Sequence, residues 1–398
     1  MSASKIIYYP VDNGDQSLIA IDENNYTTHI MVDCNIRSSS SGDSDTSQYD
    51  VKADLLNTLK KRTVNEIKDV LYSDIFILTH GDNDHLRGFE KHFYQGDPNK
   101  FKKSNKENDE IVIDVLWFSP MVMGDSTTDD EDCFNKEAKR RIKLHQDEDE
   151  DKDLPGNRIV IIGYDANEDL SGLDLVRKVP GDIISKFNEK ELETFSVFIH
   201  APYKQQLTMS DPGKNHTSVV FQARFKENKD KDEFCTLAMF GGDSDHYAWD
   251  IILEKTKKYK NEKALLWDLF MAPHHCSWTF FNDTPQKDNT TPVDTSLEVL
   301  DYRRNDAKVI ASSKEIKNND DNPPSYKAKE QYAKKVKIDN FLSTVTANKK
   351  NGTPQPIIFE ITKQGPMKPK KEEGNASVAG SASLGAVNKP STYGSKTL

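Results

Sequence analysis

The sequence predicts an α/β protein in which buried strands alternate with amphipathic helices. Short apolar runs bounded by turn-forming residues are typical of buried strands, and several lie in each half of the chain. Between these runs, apolar residues recur at the spacing of a helix face. The chain has 398 residues, which is enough for one large domain or two ordinary ones. The two strand-rich halves could therefore form two sheets that face each other.

The N-terminal third is predicted to contain strands followed by helices. The turn-forming sequence DNGD at 12–15 separates the first two strands. A helix is predicted over 49–62, because Val51 and Leu55 share helical spacing, and a second helix is predicted over 85–93. The predicted strands of this third are 5–9, 17–21, 29–34, 73–80 and 111–120.

A charged segment at 121–157 interrupts this alternation. Within it a helix is predicted from Cys133 to His145, with an acidic run on each side. We interpret the segment as a solvated insertion, and the alternative is a lid that covers a substrate.

The C-terminal half alternates again and ends in a polar tail. One domain is predicted over 1–364 and a disordered tail over 365–398, because the tail is rich in Lys, Gly, Ser and Ala and has few apolar residues to bury. Helices are predicted over 245–259 and 325–342. The predicted strands of this half are 158–164, 194–200, 217–225, 235–240, 265–273, 307–312 and 356–362.

Composition and charge argue against several classes of protein. The net charge of −11 disfavours a protein that coats duplex nucleic acid without specificity, although a nuclease with a local basic groove or bound metals is compatible with it. No apolar run approaches the roughly 20 residues that cross a bilayer. Because the N-terminus also lacks a cleavable signal pattern, we expect a soluble, cytoplasmic protein. The four cysteines are far apart, which argues against a disulfide scaffold or a structural zinc site.

The strongest candidate for a functional site follows the predicted strand 73–80. There the sequence places four potential ligands within one short loop, namely His80, Asp82, Asp84 and His85. Carboxylates crowded in a loop repel one another unless a cation neutralises them, so this set predicts metal binding. The alternative is that Asp82 or Asp84 caps the following helix, which explains one aspartate and not the set.

Three weaker motifs also lie at or near strand ends. Two glycines let the chain turn sharply before Asp243, a candidate ligand, although the same sequence also forms ordinary capped turns. A proline fixes the exit of a strand before the tandem histidines His274 and His275. Adjacent histidines point in different directions, so one could bind a metal and the other a substrate or a proton; the alternative is a pair of surface histidines. His216 precedes a predicted strand and is either a ligand or a plain turn residue.

In this order, the motifs resemble the metallo-β-lactamase superfamily and, within it, the competence-protein (ComEC-like) branch, without the membrane channel of that branch. The resemblance covers roughly 5–312. The metal motif of the branch, HxDxDHxxG, is matched by His80, Asp82, Asp84, His85 and Gly88. The other matches are a strand and turn at Val11–Asp15, a strand that ends at Asp33, an Asn-x-x-Ser turn at Asn215 and Ser218, a Gly-Asp turn at Gly242 and Asp243, and a PHHGS-like turn at Pro273–Ser277.

The resemblance implies the αββα sandwich of the metallo-β-lactamase fold, with two facing mixed sheets and helices on their outer faces. It also implies two divalent metal ions, with zinc and manganese favoured. One ion would be held by His80 and Asp82, with His216 as a further ligand. The other would be held by Asp84, His85 and His274, and Asp243 would bridge the two.

The same resemblance suggests roles for the residues around the metals. Asp84 and His275 are the predicted catalytic residues, with His275 protonating a leaving group or contacting a phosphate. Asn215 and Ser277 are predicted to orient the substrate. Cys276 stands where the branch has a glycine.

We therefore expect a metal-dependent hydrolase in which a metal-activated water cleaves a phosphodiester of a nucleic acid or nucleotide, because the branch is associated with nuclease activity. The alternatives are a hydrolase of a small nucleotide or another ester, and a catalytically silent, metal-bound subunit of a larger complex. A protein partner could supply specificity. Asp82 replaces a histidine that is common in the superfamily, and its harder carboxylate favours Mn²⁺ or Mg²⁺ relative to Zn²⁺.

Overall fold

Two β-sheets lie face to face in this protein, with helices on their outer sides. The computed structural model describes residues 3–37, 48–165, 169–207, 214–288 and 291–369. In chain order, the elements up to Lys178 are β1 (Lys5–Tyr8), β2 (Ser17–Glu23), β3 (Tyr26–Val32), β4 (Cys34–Asn35), α1 (Val51–Thr58), β5 (Lys60–Val64), β6 (Ile67–Ile77), α2 (Asn83–Leu86), α3 (Phe89–His92), α4 (Lys103–Glu107), β7 (Val112–Phe118), α5 (Asp129–Gln146), β8 (Arg158–Ile162) and β9 (Arg177–Lys178).

The remaining elements contain the second sheet and the last strands of the first. They are β10 (Ile183–Ile184), β11 (Lys186–Phe187), β12 (Lys190–Glu191), β13 (Phe195–Ala201), α6 (Lys204–Leu207), β14 (Val220–Lys226), β15 (Phe234–Phe240), α7 (His246–Lys258), β16 (Trp267–Met271), α8 (Pro273–Cys276), α9 (Asp294–Asp301), β17 (Arg303–Ala311), α10 (Tyr326–Val336), β18 (Phe341–Ser343), β19 (Lys349–Lys350), β20 (Thr353–Pro354), β21 (Ile357–Thr362) and β22 (Gly365–Met367).

The strand order places several parallel strands side by side in each sheet. The first sheet has the order β22-β21-β1-β2-β3-β6-β7-β8-β9, with β5 paired to β6, and the second has the order β10-β13-β14-β15-β16-β17-β18. In the first sheet β3, β6, β7 and β8 are parallel neighbours. In the second sheet β15, β16 and β17 are parallel neighbours. Because the carboxyl ends of parallel strands meet at one edge, the loops that follow them collect there, which is where open α/β sheets bind ligands.

The core between the sheets follows from the alternation of side chains along each strand. In β3, Ile30 and Val32 point into this core, and Met31 points into the layer under the outer helices. On the outer side of the second sheet, the rings of Trp249 in α7 and Phe270 in β16 are in contact, with centroids 5.4 Å apart and a tilt of 41°. Since both sheets also carry helices on their outer faces, the structure confirms the predicted αββα sandwich.

The charged segment 121–157 is not the predicted solvated insertion. Its helix α5 begins at Asp129, before the predicted start, and packs against the outer face of the first sheet. Phe134, Ala138 and Ile142, spaced one helical turn apart, are buried there. Because most residues of the segment are polar or charged, its composition does not reveal this narrow apolar stripe. The stripe packs α5 onto the first sheet as part of the outer helix layer.

A buried ion pair fixes α5 further. The guanidinium of Arg141 is 2.7 Å from the carboxylate of Glu137, and both side chains are buried. Arg141 also donates to the main-chain carbonyls of Ile113 and Asp114, at 3.1 and 3.0 Å. Paired and hydrogen-bonded in this way, the two charges are compatible with burial against the sheet.

Several predicted boundaries differ from the structure, and the helix predicted over 325–342 ends at Val336. The helix predicted over 49–62 ends at Thr58, and the residues after it form β5. The helix predicted over 85–93 is interrupted at Gly88, which has a φ of +89°. The last hairpin, β21–β22, extends the sheet to Met367, past the predicted start of the tail, and the rest of that tail after Pro369 lies outside the described residues. None of the helices in the described ranges has the length and apolarity to cross a membrane.

Truncating the apolar stripe of α5 tests its place in the core. The Phe134→Ala variant is expected to lose about 3–5 kcal/mol of unfolding free energy, because it removes a large buried side chain and leaves a cavity. The matched Lys139→Ala change on the exposed side of α5 should stay within about 0.5 kcal/mol of the unmodified protein. Urea denaturation measures both, and equal losses would mean that α5 is not part of the core.

A buried histidine in β13 predicts how stability depends on pH. Burial, together with the nearby Arg224 guanidinium, lowers the pKa of His200 to about 3. The neutral imidazole is therefore favoured in the folded state, and its contribution to stability is complete above about pH 6.5 and is lost as the pH falls toward 3. Between pH 7 and 4.5 the unmodified protein should lose roughly 2 kcal/mol more than His200→Gln. Urea denaturation with a chelator at both pH values checks this, and parallel losses would contradict it.

Candidate metal centre

Loops from both sheets meet at the carboxyl ends of the parallel strands. Asp33 follows β3 and the loop with His80 follows β6 in the first sheet. Asp243 follows β15 and His274 follows β16 in the second sheet. The strand order therefore carries residues that are far apart in sequence to one edge of the sandwich.

Asp243 lies at the middle of this group, and its side chain is only 3 % exposed. Its Oδ1 is 3.1 Å from Nε2 of His85 and 3.6 Å from Nε2 of His275. Its Oδ2 is 3.4 Å from Nε2 of His80 and 3.6 Å from Nε2 of His274. Each carboxylate oxygen thus faces a different pair of imidazoles.

The group divides into two clusters that share Asp243. We call the first the inner cluster; its imidazoles, His85 and His275, are buried, and Nε2 of His275 is 3.1 Å from a carboxylate oxygen of Asp84. We call the second the outer cluster, and it consists of His80, Asp82 and His274 around the other oxygen. In the outer cluster, Asp82 is 37 % and His274 22 % exposed. Solvent therefore reaches the centre at the outer cluster and also at Asp84, whose side chain is 31 % exposed.

A second carboxylate holds one imidazole of the inner cluster from behind. Nδ1 of His85 is 2.8 Å from Oδ2 of Asp33, which is fully buried. Thr79 donates its main-chain N–H and its hydroxyl to the same carboxylate, each at 2.7 Å. Such a carboxylate–histidine contact fixes the ring so that Nε2 faces the shared carboxylate.

An unusual backbone conformation lets both tandem histidines point toward Asp243. His274, His275 and Cys276 have φ angles of +49°, +54° and +67°, in the left-handed region that non-glycine residues rarely adopt. Sequence reasoning expected adjacent histidines to point in different directions. The left-handed turn instead brings both Nε2 atoms to 3.6 Å from Asp243, one on each oxygen. Strain of this kind is typical of functional sites.

A glycine permits the close approach of loops from the two sheets. Gly242, just before Asp243, has a φ of +51°, and a Cβ there would lie 2.8 Å from the side chain of Thr79. Thr79 also accepts a hydrogen bond at its main-chain oxygen from Val219, at 2.8 Å. Any larger residue at position 242 would separate the two loops and move Asp243 away from the imidazoles.

The electrostatic field of the centre favours positive charge. Burial alone would lower the pKa of His275, but the carboxylates of Asp243, Asp15 and Asp84 outweigh it and raise that pKa to about 10. Burial is likewise outweighed at His85, whose pKa is raised well above its usual value by Asp243 and Asp33. Burial would raise the pKa of Asp243, but the imidazoles around it hold that pKa well below its usual range. The carboxylates therefore favour positive charge at the two inner imidazoles, whereas burial lowers the pKa of His274.

The donor set suits divalent metal ions. Nε2 of His80 is buried and has no hydrogen-bond partner within the described part of the chain, although it lies 3.4 Å from the Asp243 carboxylate. A buried ring nitrogen without a partner is unfavourable unless something binds it. Ligand atoms of Asp15, His85, Asp243 and His275 also lie within 4.8 Å of one another. Mixed imidazole and carboxylate ligands are those that zinc and manganese accept.

The structure brings together most of the predicted metal ligands but groups them differently. His274 lies in the outer cluster with His80, and was predicted to join Asp84 and His85. His275 lies in the inner cluster and is 1 % exposed, so a leaving group or phosphate in solvent does not reach it, contrary to the predicted catalytic role. His216 contacts the carboxylate of Asp245, and neither cluster contacts it in the described chain.

The two predicted substrate-orienting residues differ in their access to the site. Nδ2 of Asn215 is 3.5 Å from Nδ1 of His274, at the partly exposed side, so its predicted role stands as a prediction. Ser277 is fully buried, and its hydroxyl donates to Oδ1 of Asn322 at 2.9 Å. The geometry therefore gives Ser277 a part in fixing the histidine turn, and not the predicted contact with substrate.

Sequence reasoning did not assign a role at the metals to Asp15, Asp33 or Thr79. Asp15 and Asp33 do stand in two of the motifs that carry the resemblance, so a signal for them was present. Thr79 had no signal beyond its place before His80. Asp15 contacts Nδ1 of His275, Asp33 contacts Nδ1 of His85, and Thr79 donates to Asp33. These contacts depend on the meeting of separate loops.

Comparisons with known proteins add little to this description. No family model and no curated protein matches the sequence. A solved structure described as a long form RNase Z from yeast is similar over 80 % of this chain and 40 % of that chain, with 13 % sequence identity and a TM-score of 0.36. This chain thus spans less than half the length of that structure. A likeness at this level carries no argument about activity.

The division into two clusters predicts a specific change in metal content. His274→Ala should remove the ion of the outer cluster and leave the ion of the inner cluster. The reason is that His274 contacts Oδ2 of Asp243, the carboxylate oxygen that faces the outer cluster. Asp243→Asn should weaken the binding of both ions, because both clusters share that carboxylate. Metal analysis after dialysis, with titration calorimetry, measures the stoichiometry. Equal loss of both ions in His274→Ala would contradict the division.

Proposed function

We propose that this protein is a metal-dependent hydrolase that cleaves phosphodiesters of a nucleic acid or nucleotide. The observation that carries the proposal is the convergence of four imidazoles on the single carboxylate of Asp243, with Asp82 and Asp84 beside them. An apolar core would stabilise the fold as well as this array does. Buried charges are unfavourable unless they bind a partner, so the array is better explained as a binding site.

The residues of the two clusters would hold one divalent ion each, and Asp243 would lie between them. When bound, the ions would supply a nucleophile from water near neutral pH and positive charge for phosphoryl oxygens. The inner cluster excludes solvent on the side of His85 and His275. The outer cluster admits a substrate on the side of Asp82 and His274, which are partly exposed.

Residues at the solvent-exposed side of the outer cluster support the choice of a phosphodiester. The side-chain amide of Asn215 lies beside His274 and can donate a hydrogen bond to a phosphoryl oxygen. Asp84 is 31 % exposed and contacts Nε2 of His275 at 3.1 Å, so its carboxylate can accept a hydrogen bond from a water beside the inner cluster. The net charge of −11 means that bound ions would supply most of the attraction for an anionic substrate. The motif resemblance to a nuclease-associated branch points to the same bond.

Asp82 supports a metal with a preference for oxygen ligands in the outer cluster. Its carboxylate is 3.6 Å from Nε2 of His80, where many relatives in the superfamily that the motifs resemble have a third imidazole. Carboxylates suit manganese and magnesium, and imidazoles suit zinc. We infer that Asp82 makes the outer cluster accept manganese more readily than a third imidazole at this position would.

A substrate panel tests the proposed activity. Purified protein with Mn²⁺ or Zn²⁺ is expected to hydrolyse at least one of single-stranded DNA, duplex DNA, RNA, a cyclic dinucleotide and a model diester. A model carboxylic ester is assayed in parallel. Asp84→Ala should lower the rate of hydrolysis at least about 100-fold. Replacing a residue that only supports a metal ligand commonly lowers activity about 10–100-fold, and Asp84 lies directly beside the candidate ligand His275. The Asp147→Ala change, at an exposed position on α5's C-terminal side, is the matched control and should keep full activity.

The outcomes separate the competing functions. Full activity in Asp84→Ala would mean that the assigned centre does not carry the reaction. Hydrolysis of carboxylic esters without any phosphodiester would favour the alternative ester hydrolase. Tight metal binding without turnover of any substrate would favour a silent metal-bound subunit.

A further inference from the structure

The turn between β1 and β2 is joined to the metal centre from several sides. The main-chain N–H of Asp15 donates to the main-chain oxygen of Asp84 at 3.2 Å. The hydroxyl of Ser312, in the second sheet's half of the chain, donates to the main-chain oxygen of Gly14 at 2.6 Å. The amide of Asn13 donates to the main-chain oxygen of Pro323 at 3.1 Å. The turn is therefore clamped between loops of both halves.

Gly14 allows this turn to lie directly against the ligand loop. Its φ of +134° belongs to the region that favours glycine, and a Cβ at this position would lie 2.7 Å from the main-chain oxygen of Asp84. A side chain would push the turn away from the loop after β6. The sequence therefore keeps the residue after Gly14 next to the ligands.

That residue, Asp15, contacts Nδ1 of His275, and one of its carboxylate oxygens also lies within 4.8 Å of ligand atoms of His85 and Asp243. Oδ1 of Asp15 is 3.3 Å from Nδ1 of His275, and the Asp15 side chain is 7 % exposed. Nε2 of the same ring faces Asp84 at 3.1 Å and Asp243 at 3.6 Å. The two ring nitrogens thus contact different carboxylates: Nδ1 contacts Asp15, and Nε2 contacts Asp84 and Asp243.

Two groups compete for Nδ1 of His275. The main-chain N–H of Gly14 lies 3.1 Å from it and, as a donor, favours a ring without a proton at Nδ1. The Asp15 carboxylate can only accept, so it favours the ring with the proton at Nδ1. Only the second form leaves the lone pair of Nε2 free for a metal, because a neutral imidazole has one N–H and one lone pair.

We propose that Asp15 is a positioning residue of the metal centre, which holds His275 in the Nδ1–H form so that Nε2 binds the inner ion. This inference rests on the proposed metal-dependent function. It makes the inner cluster symmetrical, because Asp33 contacts Nδ1 of His85 in the same way at 2.8 Å. Residues behind metal ligands commonly fix the tautomer and orientation of the imidazole.

The experiment compares metal binding in four forms of the full chain. Titration calorimetry with Zn²⁺ on the unmodified protein, Asp15→Ala, Asp15→Asn and Asp12→Asn measures the affinity of each ion. Asp15→Ala should weaken the inner ion about 10–100-fold and leave the outer ion unchanged. Asp15→Asn should lose less, because its amide oxygen still accepts from Nδ1–H. Asp12→Asn is the matched control, because that carboxylate lies in the same turn, contacts Arg37 at 3.0 Å and is 39 % exposed.

A spectroscopic readout distinguishes positioning from a general loss of structure. With Co²⁺ in the centre, the ring N–H of a bound histidine gives a shifted proton resonance that disappears on exchange with deuterium. The resonance of His275 should be present in the unmodified protein and in Asp12→Asn. It should be lost or broadened in Asp15→Ala, where solvent replaces the carboxylate at Nδ1.

The possible results separate this inference from the proposed function. If Asp15→Ala binds the inner ion as tightly as the unmodified protein and keeps the resonance, Asp15 has no positioning role while the metal centre stands. If the unmodified protein binds no divalent ion, both this inference and the proposed function fail. If Asp15→Ala does not fold, Asp15→Leu decides, because its side chain is close to Asp in size and cannot accept from Nδ1–H. An affinity for the inner ion equal to that of Asp12→Asn would then overturn the inference.

Discussion

The buried carboxylate of Asp243 lies among four imidazoles, and the rest of the centre depends on that contact. His80 and His85 come from the loop after β6 in the first sheet, and His274 and His275 come from the turn after β16 in the second. The carboxylate therefore joins residues that only the face-to-face packing of the two sheets brings together. Gly242 permits the approach, because a side chain there would collide with Thr79.

Several other features of the protein follow from burying this group of charges. Buried carboxylates are unfavourable unless each has a partner, and here Asp33, Asp243 and Asp15 each contact an imidazole. The left-handed backbone from His274 to Cys276 costs about 1–3 kcal/mol per residue, and the surrounding contacts must outweigh it. The raised pKa values of His85 and His275 have the same origin, since carboxylates surround both rings. A cation would relieve the same repulsion more effectively than protons do.

Much of the fold could be predicted from the sequence, because its signals are local. Apolar runs bounded by turns located most strands within a few residues, and helical spacing located α7 and α10. The segment with α5 was misinterpreted because its acidic and basic residues outnumber the apolar stripe of Phe134, Ala138 and Ile142. The helix after His85 was predicted as one piece because the left-handed conformation of Gly88 has no periodic signal. The composition of a segment averages over all of its residues, whereas packing of a helix depends only on the residues of the face that meets the sheet.

For the candidate site, the sequence by itself located the loop of candidate ligands from His80 to His85, because those residues are neighbours in the chain and their chemistry is apparent without a fold. It also determined that Asp243 and the tandem histidines stand at strand ends. Only the tertiary structure decided which histidine faces which oxygen of Asp243, that Ser277 and His275 are buried, and that His216 lies beside Asp245. It also placed Asp15 beside Nδ1 of His275 and Asp33 beside Nδ1 of His85. The physical reason is that these relations depend on backbone conformation and on the approach of loops from separate strands, and neither is encoded in the spacing of residues along the chain.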